Sequence, residues 1–252
     1  MHSITRWLSG LLIVMSCSLQ ADEISVAVAA NFSAPMQKIA HEFEKESGHH
    51  VLLSFGATGN FYSQIKAGAP FELLLAADEK TPYRLEQEGL AVKGSRFTYA
   101  TGTLVLWSAQ QGFVDKEGKV LQTGSFAHLA LANPQLAPYG DAAMETLKSL
   151  GLLAALTPRI IQGESIGQTY QFVATGNAEL GFVALSQVIG TRGQPQSGSM
   201  WRVPDTLHPP LRQDAVLLDK GSDHPAAQAL LAFLKGPYAH DVIQSFGYGS
   251  GH

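Results

Sequence analysis

Apolar and polar residues alternate along this chain with two different periods, and the switches between them predict its elements. Residues 24–29 (ISVAVA) form a short apolar run that reads as a buried strand. Phe32, Met36, Ile39, Ala40 and Phe43 then recur on one face of a helix, with Asn31 placed to cap it and Gly48 to end it. Residues 51–55 read as a second strand and 59–66 as a helix, which Gly68-Ala69-Pro70 breaks. Residues 71–78 read as a third strand with an acidic end, and 83–89 as a short helix. Strand alternating with helix in this order predicts a doubly wound, parallel sheet.

The pattern repeats in the second half. Strands are predicted over 103–108, 129–132, 159–162, 179–185 and 213–219, and helices over 141–150, 166–175, 226–235 and 238–246. Ala137-Pro138-Tyr139-Gly140 reads as a tight turn. The chain therefore divides into two α/β lobes of similar size. Residues 22–103 with 216–252 make lobe I, and 104–215 make lobe II. The crossings fall near 101–105 and 213–216, and the C-terminal helices return to the first lobe. Ligands of open α/β sheets bind outside the carboxyl ends of the strands, so a cleft between the lobes is the expected site.

Composition narrows the function classes. Of 252 residues, 45% are hydrophobic and 15% charged, which describes a globular chain with a substantial core. The net charge is −4, with no basic run and no basic-aromatic stripe, which argues against a nucleic-acid partner. Residues 1–21 read as a signal peptide: Arg6 is the positive region, WLSGLLIVM the apolar core, and cleavage after Ala21 leaves a soluble, exported chain. The alternative is a lipoprotein acylated at Cys17, although Val14-Met15-Ser16 matches such a site poorly. Cys17 is the only cysteine, so cleavage after Ala21 leaves no thiol chemistry.

Candidate chemistry gathers at the strand-to-helix turns. In Ser54-Phe55-Gly56-Ala57-Thr58-Gly59-Asn60 a strand, a small-residue turn and a helix start follow one another. The first N–H groups of a helix lack internal partners and its dipole favours negative charge there. Gly56 and Gly59 allow close backbone approach, and Thr58 stands at a predicted N-cap. Ala30-Asn31, Pro138-Tyr139-Gly140 and Glu164-Ser165-Ile166-Gly167 are turns of the same kind. Two turns from each lobe, facing one another, would suit a small anion with several oxygens, bound by neutral donors alone. Capped helix starts are common to all α/β proteins, so this pattern also has a purely structural explanation.

Taken together, these residues resemble the periplasmic molybdate-binding proteins of ABC-type oxyanion transporters. The resemblance runs from Val28-Ala29-Ala30-Asn31-Phe32, through the 54–65 stretch and Gly68-Ala69-Pro70-Phe71-Glu72, to Ala137-Pro138-Tyr139-Gly140, Gly163-Glu164-Ser165-Ile166 and Gly176–Ala184. It implies a two-lobed type II periplasmic binding fold, each lobe a mixed or mostly parallel sheet flanked by helices. It also implies a monomer that closes on molybdate or tungstate, docks on the transmembrane permease subunits, and uses no cofactor. By position, Asn31 and Thr58 match oxyanion-bonding groups of lobe I. Tyr139 and Ile166 match backbone donors of lobe II, with Ala30, Ala57 and Gly59 as lesser candidates. Some members use a tyrosine hydroxyl where this chain has Ala184, so its donor set belongs to a subgroup without it.

Three rival readings remain at this stage. Gly163-Glu164-Ser165-Ile166-Gly167 fits the G-x-S-x-G of serine hydrolases, although no His-Gly-Gly type segment precedes it. His49-His50 motivates a metal-binding protein, but adjacent histidines alone do not make converging ligands. The third keeps the fold and changes the anion to sulfate or phosphate. A donor-only site disfavours protonated phosphate, and Asp78 is the nearest acidic residue by sequence.

Overall fold

The computed structural model describes residues 21–190 and 195–250. The predicted targeting segment, including Cys17, lies outside them except for Ala21. The first elements are β1 (Glu23–Ala29), α1 (Ser33–Ser47), β2 (His50–Gly56), α2 (Thr58–Lys66), β3 (Leu73–Leu75), α3 (Lys80–Gln87) and β4 (Phe97–Gly102). A 3-10 turn, Ala30–Phe32, joins β1 to α1. Gly48 ends α1 in the left-handed region at φ 77°, where a glycine carries no Cβ penalty.

The chain then builds a second body. Its strands are β5 (Leu104–Ser108), β6 (Leu129–Ala132), β7 (Ile160–Gly163), β8 (Leu180–Ala184) and β9 (Ser199–Arg202). Its helices are α4 (Val120–Thr123), α5 (Pro138–Ser149), α6 (Leu153–Leu156), α7 (Ile166–Ala174) and α8 (Leu185–Val188). After these, β10 (Leu211–Leu217), α9 (Pro225–Leu234) and α10 (Pro237–Ser245) return to the first body.

Both sheets have five strands, in the orders β2-β1-β3-β10-β4 and β7-β6-β8-β5-β9. In the first, β1 runs parallel to β2 and β3, while β10 is antiparallel to β3 and β4. In the second, β6 runs parallel to β7 and β8, while β5 is antiparallel to β8 and β9. Each lobe thus has a parallel half and an antiparallel half, the latter formed by the strands that cross between lobes. Ile24, Val26, Val28, Phe32, Met36, Leu73, Leu230 and Ile243 share one core, which fixes α9 and α10 to the first lobe.

Several elements depart from the sequence pattern. The return to the first sheet is complete from Leu211, earlier than the expected boundary at 216. The third strand is three residues long rather than spanning 71–78, because its later residues bend toward α3; Ala76 still bonds Asp214 through its N–H. The strands β4 and β9 carry no apolar run to announce them: β4 is FTYATG and β9 is SMWR. Helix α5 begins at Pro138, ahead of the expected 141, because proline suits the first helical position. The C-terminal tail makes a third link near the crossover. Thr101 and Gly249 exchange backbone hydrogen bonds of 3.1 and 2.9 Å.

Candidate functional site

Four helix starts converge where the parallel strands of the two sheets end. They are the 3-10 turn after β1, and the N-termini of α2, α5 and α7. Between them lies a small pocket lined by Ala29, Ala30, Asn31, Gly56, Ala57, Thr58, Ala77, Ala137, Pro138, Tyr139 and Ile166. No charged side chain is among these lining residues. The structure therefore brings together Ala30, Asn31, Ala57, Thr58, Tyr139 and Ile166. The lobes meet around it: Ala29, Ala57 and Ala77 share a buried cluster with Tyr139 and Ile166. A Cβ built on Gly167 would stand 3.3 Å from that of Ala30 across the cleft.

Gly59 is the exception among the expected residues. Its N–H donates to the Leu136 carbonyl at 2.9 Å, so it ties the lobes together and is not free for a ligand. It lines instead a neighbouring groove of about 470 Å³, with Asp78, Glu79, Lys80, Asp141 and Arg212.

The backbone donors follow from helix geometry. Thr58 and Ile166 are the first residues of their helices and Tyr139 the second, so their N–H groups have no intrahelical acceptor. Among the described residues no other backbone acceptor meets them. Three dipole ends and three free N–H groups give the pocket a positive potential without any cation.

The side chains behave differently from their predicted capping roles. Thr58 is not the N-cap of α2; Ala57 is, because the chain is still extended there at φ −80°, ψ 141°. The buried Thr58 hydroxyl accepts the Ala77 N–H at 3.0 Å, which leaves its own proton for another acceptor. Asn31 does not cap α1 either, since the 3-10 turn carries the chain into the helix without a side-chain cap. Its Nδ2 donates to Gln213 Oε1 at 2.8 Å and to the Tyr248 hydroxyl at 3.0 Å. Tyr139 sits within the first turn of α5 rather than in a turn before it, and its hydroxyl accepts Gln213 Nε2 at 3.0 Å.

Sequence reasoning missed the residues behind this front row. Gln213, Tyr99, Tyr248 and Ser186 are buried and join Asn31 and Tyr139 in one hydrogen-bonded group. Burial pushes the phenols of Tyr99, Tyr139 and Tyr248 far above the ordinary tyrosine range, so all three remain neutral donors. Their positions run from 99 to 248, and no local spacing signals that they meet. The only hint is the polar Arg212-Gln213-Asp214 run at the head of a strand that ends apolar, Ala215-Val216-Leu217.

The features behind the rival readings lie elsewhere. Ser165 caps α7, its Oγ accepting the Gln168 N–H at 3.3 Å. His49 and His50 lie at the start of β2, the end opposite Gly56, with His49 Nδ1 accepting the Asp22 N–H at 3.2 Å. Among the described residues no group of three or more His, Cys, Asp or Glu is arranged to hold a metal ion. Asp78 lies outside the pocket and accepts the N–H and hydroxyl of Thr81 at 2.7 and 3.1 Å. No described helix is long and apolar enough to cross a membrane.

Comparison with known proteins agrees with this architecture. The molybdate-binding protein ModA of Azotobacter vinelandii is 59% identical over 236 residues, covering 94% of this chain and 93% of its own. That of Rhodobacter capsulatus is 49% identical over 242 residues, covering 95% and 94%. A solved structure, the periplasmic molybdate-binding protein of Azotobacter vinelandii, superposes with a TM-score of 0.88 at 42% identity, covering 91% of this chain and all 100% of that one. The sulfate-binding protein SubI of Mycobacterium tuberculosis shares the fold, with a TM-score of 0.71 at 13% identity, covering 91% of this chain and 87% of its own. The family described as bacterial extracellular solute-binding protein matches residues 24–249, and the chain belongs to that family.

Proposed function

We propose that the chain captures molybdate, and tungstate through the same contacts, between its two lobes and delivers it to an ABC permease without chemical change. The observation that carries this reading is a pocket at four helix starts with no charged side chain in its lining. Such a lining sets no negative charge against an anion and presents the free N–H groups of three helix starts. Thr58 and Asn31 supply lobe I, and the N–H groups of Tyr139 and Ile166 supply lobe II, with the backbone of Ala30 and Ala57 in lesser roles. A fully ionised tetrahedral dianion accepts at every oxygen and suits that set. Phosphate near neutral pH carries a proton, and the pocket lining has no carboxylate to accept it.

Half of the donors belong to each lobe, so only the closed state completes the set. Ligand binding then stabilises closure by its differential affinity for that state. The closed form is what a permease would recognise. We place the protein in the periplasm as a monomer, released by cleavage after Ala21. The relatives named molybdate-binding support the choice of anion. A thermal-shift panel with molybdate, tungstate, sulfate and phosphate tests it, since a ligand raises the melting point with its binding free energy. Molybdate and tungstate are expected to stabilise most; a larger shift with phosphate overturns the reading.

A further inference from the structure

Asn31 is 2% exposed and lines the pocket, and its Oδ1 has no hydrogen-bond partner. Its Nδ2 already serves Gln213 and Tyr248, so Oδ1 is the atom left for the pocket. An acceptor facing an oxyanion repels it. An amide's two ends are nearly isosteric, however, and a half turn about the terminal torsion exchanges donor and acceptor with little change in packing.

We propose that Gln213 is a positioning residue that sets which end of the Asn31 amide faces the ligand, and so makes the pocket a donor-only site. This inference rests on the oxyanion reading of the pocket. A concerted half turn of both amides satisfies the whole group. Gln213 Nε2 then occupies the position now 2.8 Å from the Asn31 amide and donates to Asn31 Oδ1. The Tyr248 hydroxyl, 3.0 Å from the same amide, donates there too, while Ser186 Oγ continues to hold the Asn31 carbonyl at 2.8 Å. Gln213 Oε1 turns to Tyr139 and accepts its hydroxyl proton across the present 3.0 Å contact. The Tyr99 hydroxyl keeps its bond to the Ala76 carbonyl at 3.0 Å and accepts the second Gln213 proton. Asn31 Nδ2 is then free to donate into the pocket.

The group is also a bridge between lobes. Asn31 and Gln213 belong to elements of the first lobe, and Tyr139 and Ser186 to helices of the second. The turn of Gln213 therefore links the donor at the ligand to the lobe contact behind it.

The test is a double-mutant cycle on molybdate affinity, read by calorimetry, with Gln213→Met and Asn31→Ala. Methionine keeps the volume of Gln213 and removes both polar ends. We expect Gln213→Met to weaken binding about tenfold in the parent and to have no further effect in the Asn31→Ala background, because it acts through that amide. A second route avoids reliance on an apolar replacement. In Gln213→Glu the protonated carboxyl can donate to Asn31, whereas the ionised carboxylate can only accept. Affinity of that variant should fall as pH rises from 6 to 9 relative to the parent. Tyr99 from β4 and Tyr139 from α5 bond this position, Tyr248 from the tail bonds the Asn31 amide beside it, and the adjacent Asp214 is held by Arg96 and Thr98. An equal loss in both backgrounds, or a pH-independent ratio for the Gln213→Glu variant, overturns the proposal. Failure of the unaltered chain to bind any oxyanion overturns the pocket reading and the proposal with it.

Discussion

Gly59 and Leu136 lie on opposite lobes, and the Gly59 N–H donates to the Leu136 carbonyl at 2.9 Å. One of the orphan donors at the start of α2 is thus used to hold the cleft shut rather than to meet a ligand. The approach is close: a Cβ on residue 59 would stand 3.0 Å from Leu136 Cα and 3.2 Å from its carbonyl oxygen. Gly59→Ala should therefore push the lobes apart at this point. The expected result is molybdate binding weakened by about 1 kcal/mol, the worth of one such bond, with little change in the melting point of the unliganded protein. Calorimetry and thermal unfolding on the same sample separate the two effects, and unchanged affinity would remove the latch from the account of closure.

Thr58 carries two duties that two substitutions can separate. Its Oγ1 accepts the Ala77 N–H, and its hydroxyl proton is left for another acceptor at a residue that lines the pocket. Thr58→Ala removes both and leaves the Ala77 N–H without its acceptor. Binding should weaken by about 1–3 kcal/mol and fold stability fall by about 1 kcal/mol. Thr58→Ser keeps the hydroxyl and should retain most of the affinity. Equal losses for serine and alanine would show that the methyl group, not the hydroxyl, matters at this position.

The sequence was informative wherever one residue type met one local rule. Apolar runs at 24–29 and 129–132 marked the buried strands, and turns of small residues marked the helix starts around the pocket. It was less informative where a residue's role depends on a distant partner. The local rule makes Asn31 and Thr58 helix caps, because capping is what such residues do near a helix start. Their side chains instead reach Gln213, Tyr248 and Ala77, contacts that only the folded first lobe creates. The edge and crossing strands β4 and β9 escape the sequence pattern for a related reason. Their pairing partners supply their register, and their own residues alternate too weakly to declare it.

Asp78 gives the fold a pH dependence of a definite sign. Burial raises its carboxyl above the ordinary aspartate range, opposed in part by the bonds from Thr81. Between the unfolded value of about 4 and the raised folded value, the native chain holds a proton that the unfolded chain has lost. Stability from this group is therefore greatest at low pH and falls as pH rises through that window. Asp78→Asn keeps an acceptor for the Thr81 N–H and removes the titration. The variant should be more stable than the parent at pH 7, with the difference shrinking toward pH 4. Urea midpoints across that range measure it, and a constant offset would rule out the titration as its cause.

The ion pair between Arg96 and Asp214 predicts the opposite behaviour on substitution. Asp214 is fully buried beside the bulge in β10, and it also accepts the Thr98 hydroxyl at 2.7 Å. The Arg96 guanidinium bonds its other oxygen and lies over the Tyr83 ring, 5.6 Å from the centroid. Removing one partner leaves a buried charge uncompensated, which costs about 3–5 kcal/mol, whereas removing both costs much less. Arg96→Met should destabilise the protein strongly in urea unfolding, and adding Asp214→Asn should recover much of that loss. Because Gln213 is the next residue on the same strand, Arg96→Met should also weaken molybdate binding, through a looser Gln213. Recovery of stability without recovery of affinity in the double variant would show that Asp214 holds the strand for the ligand network as well as for the fold.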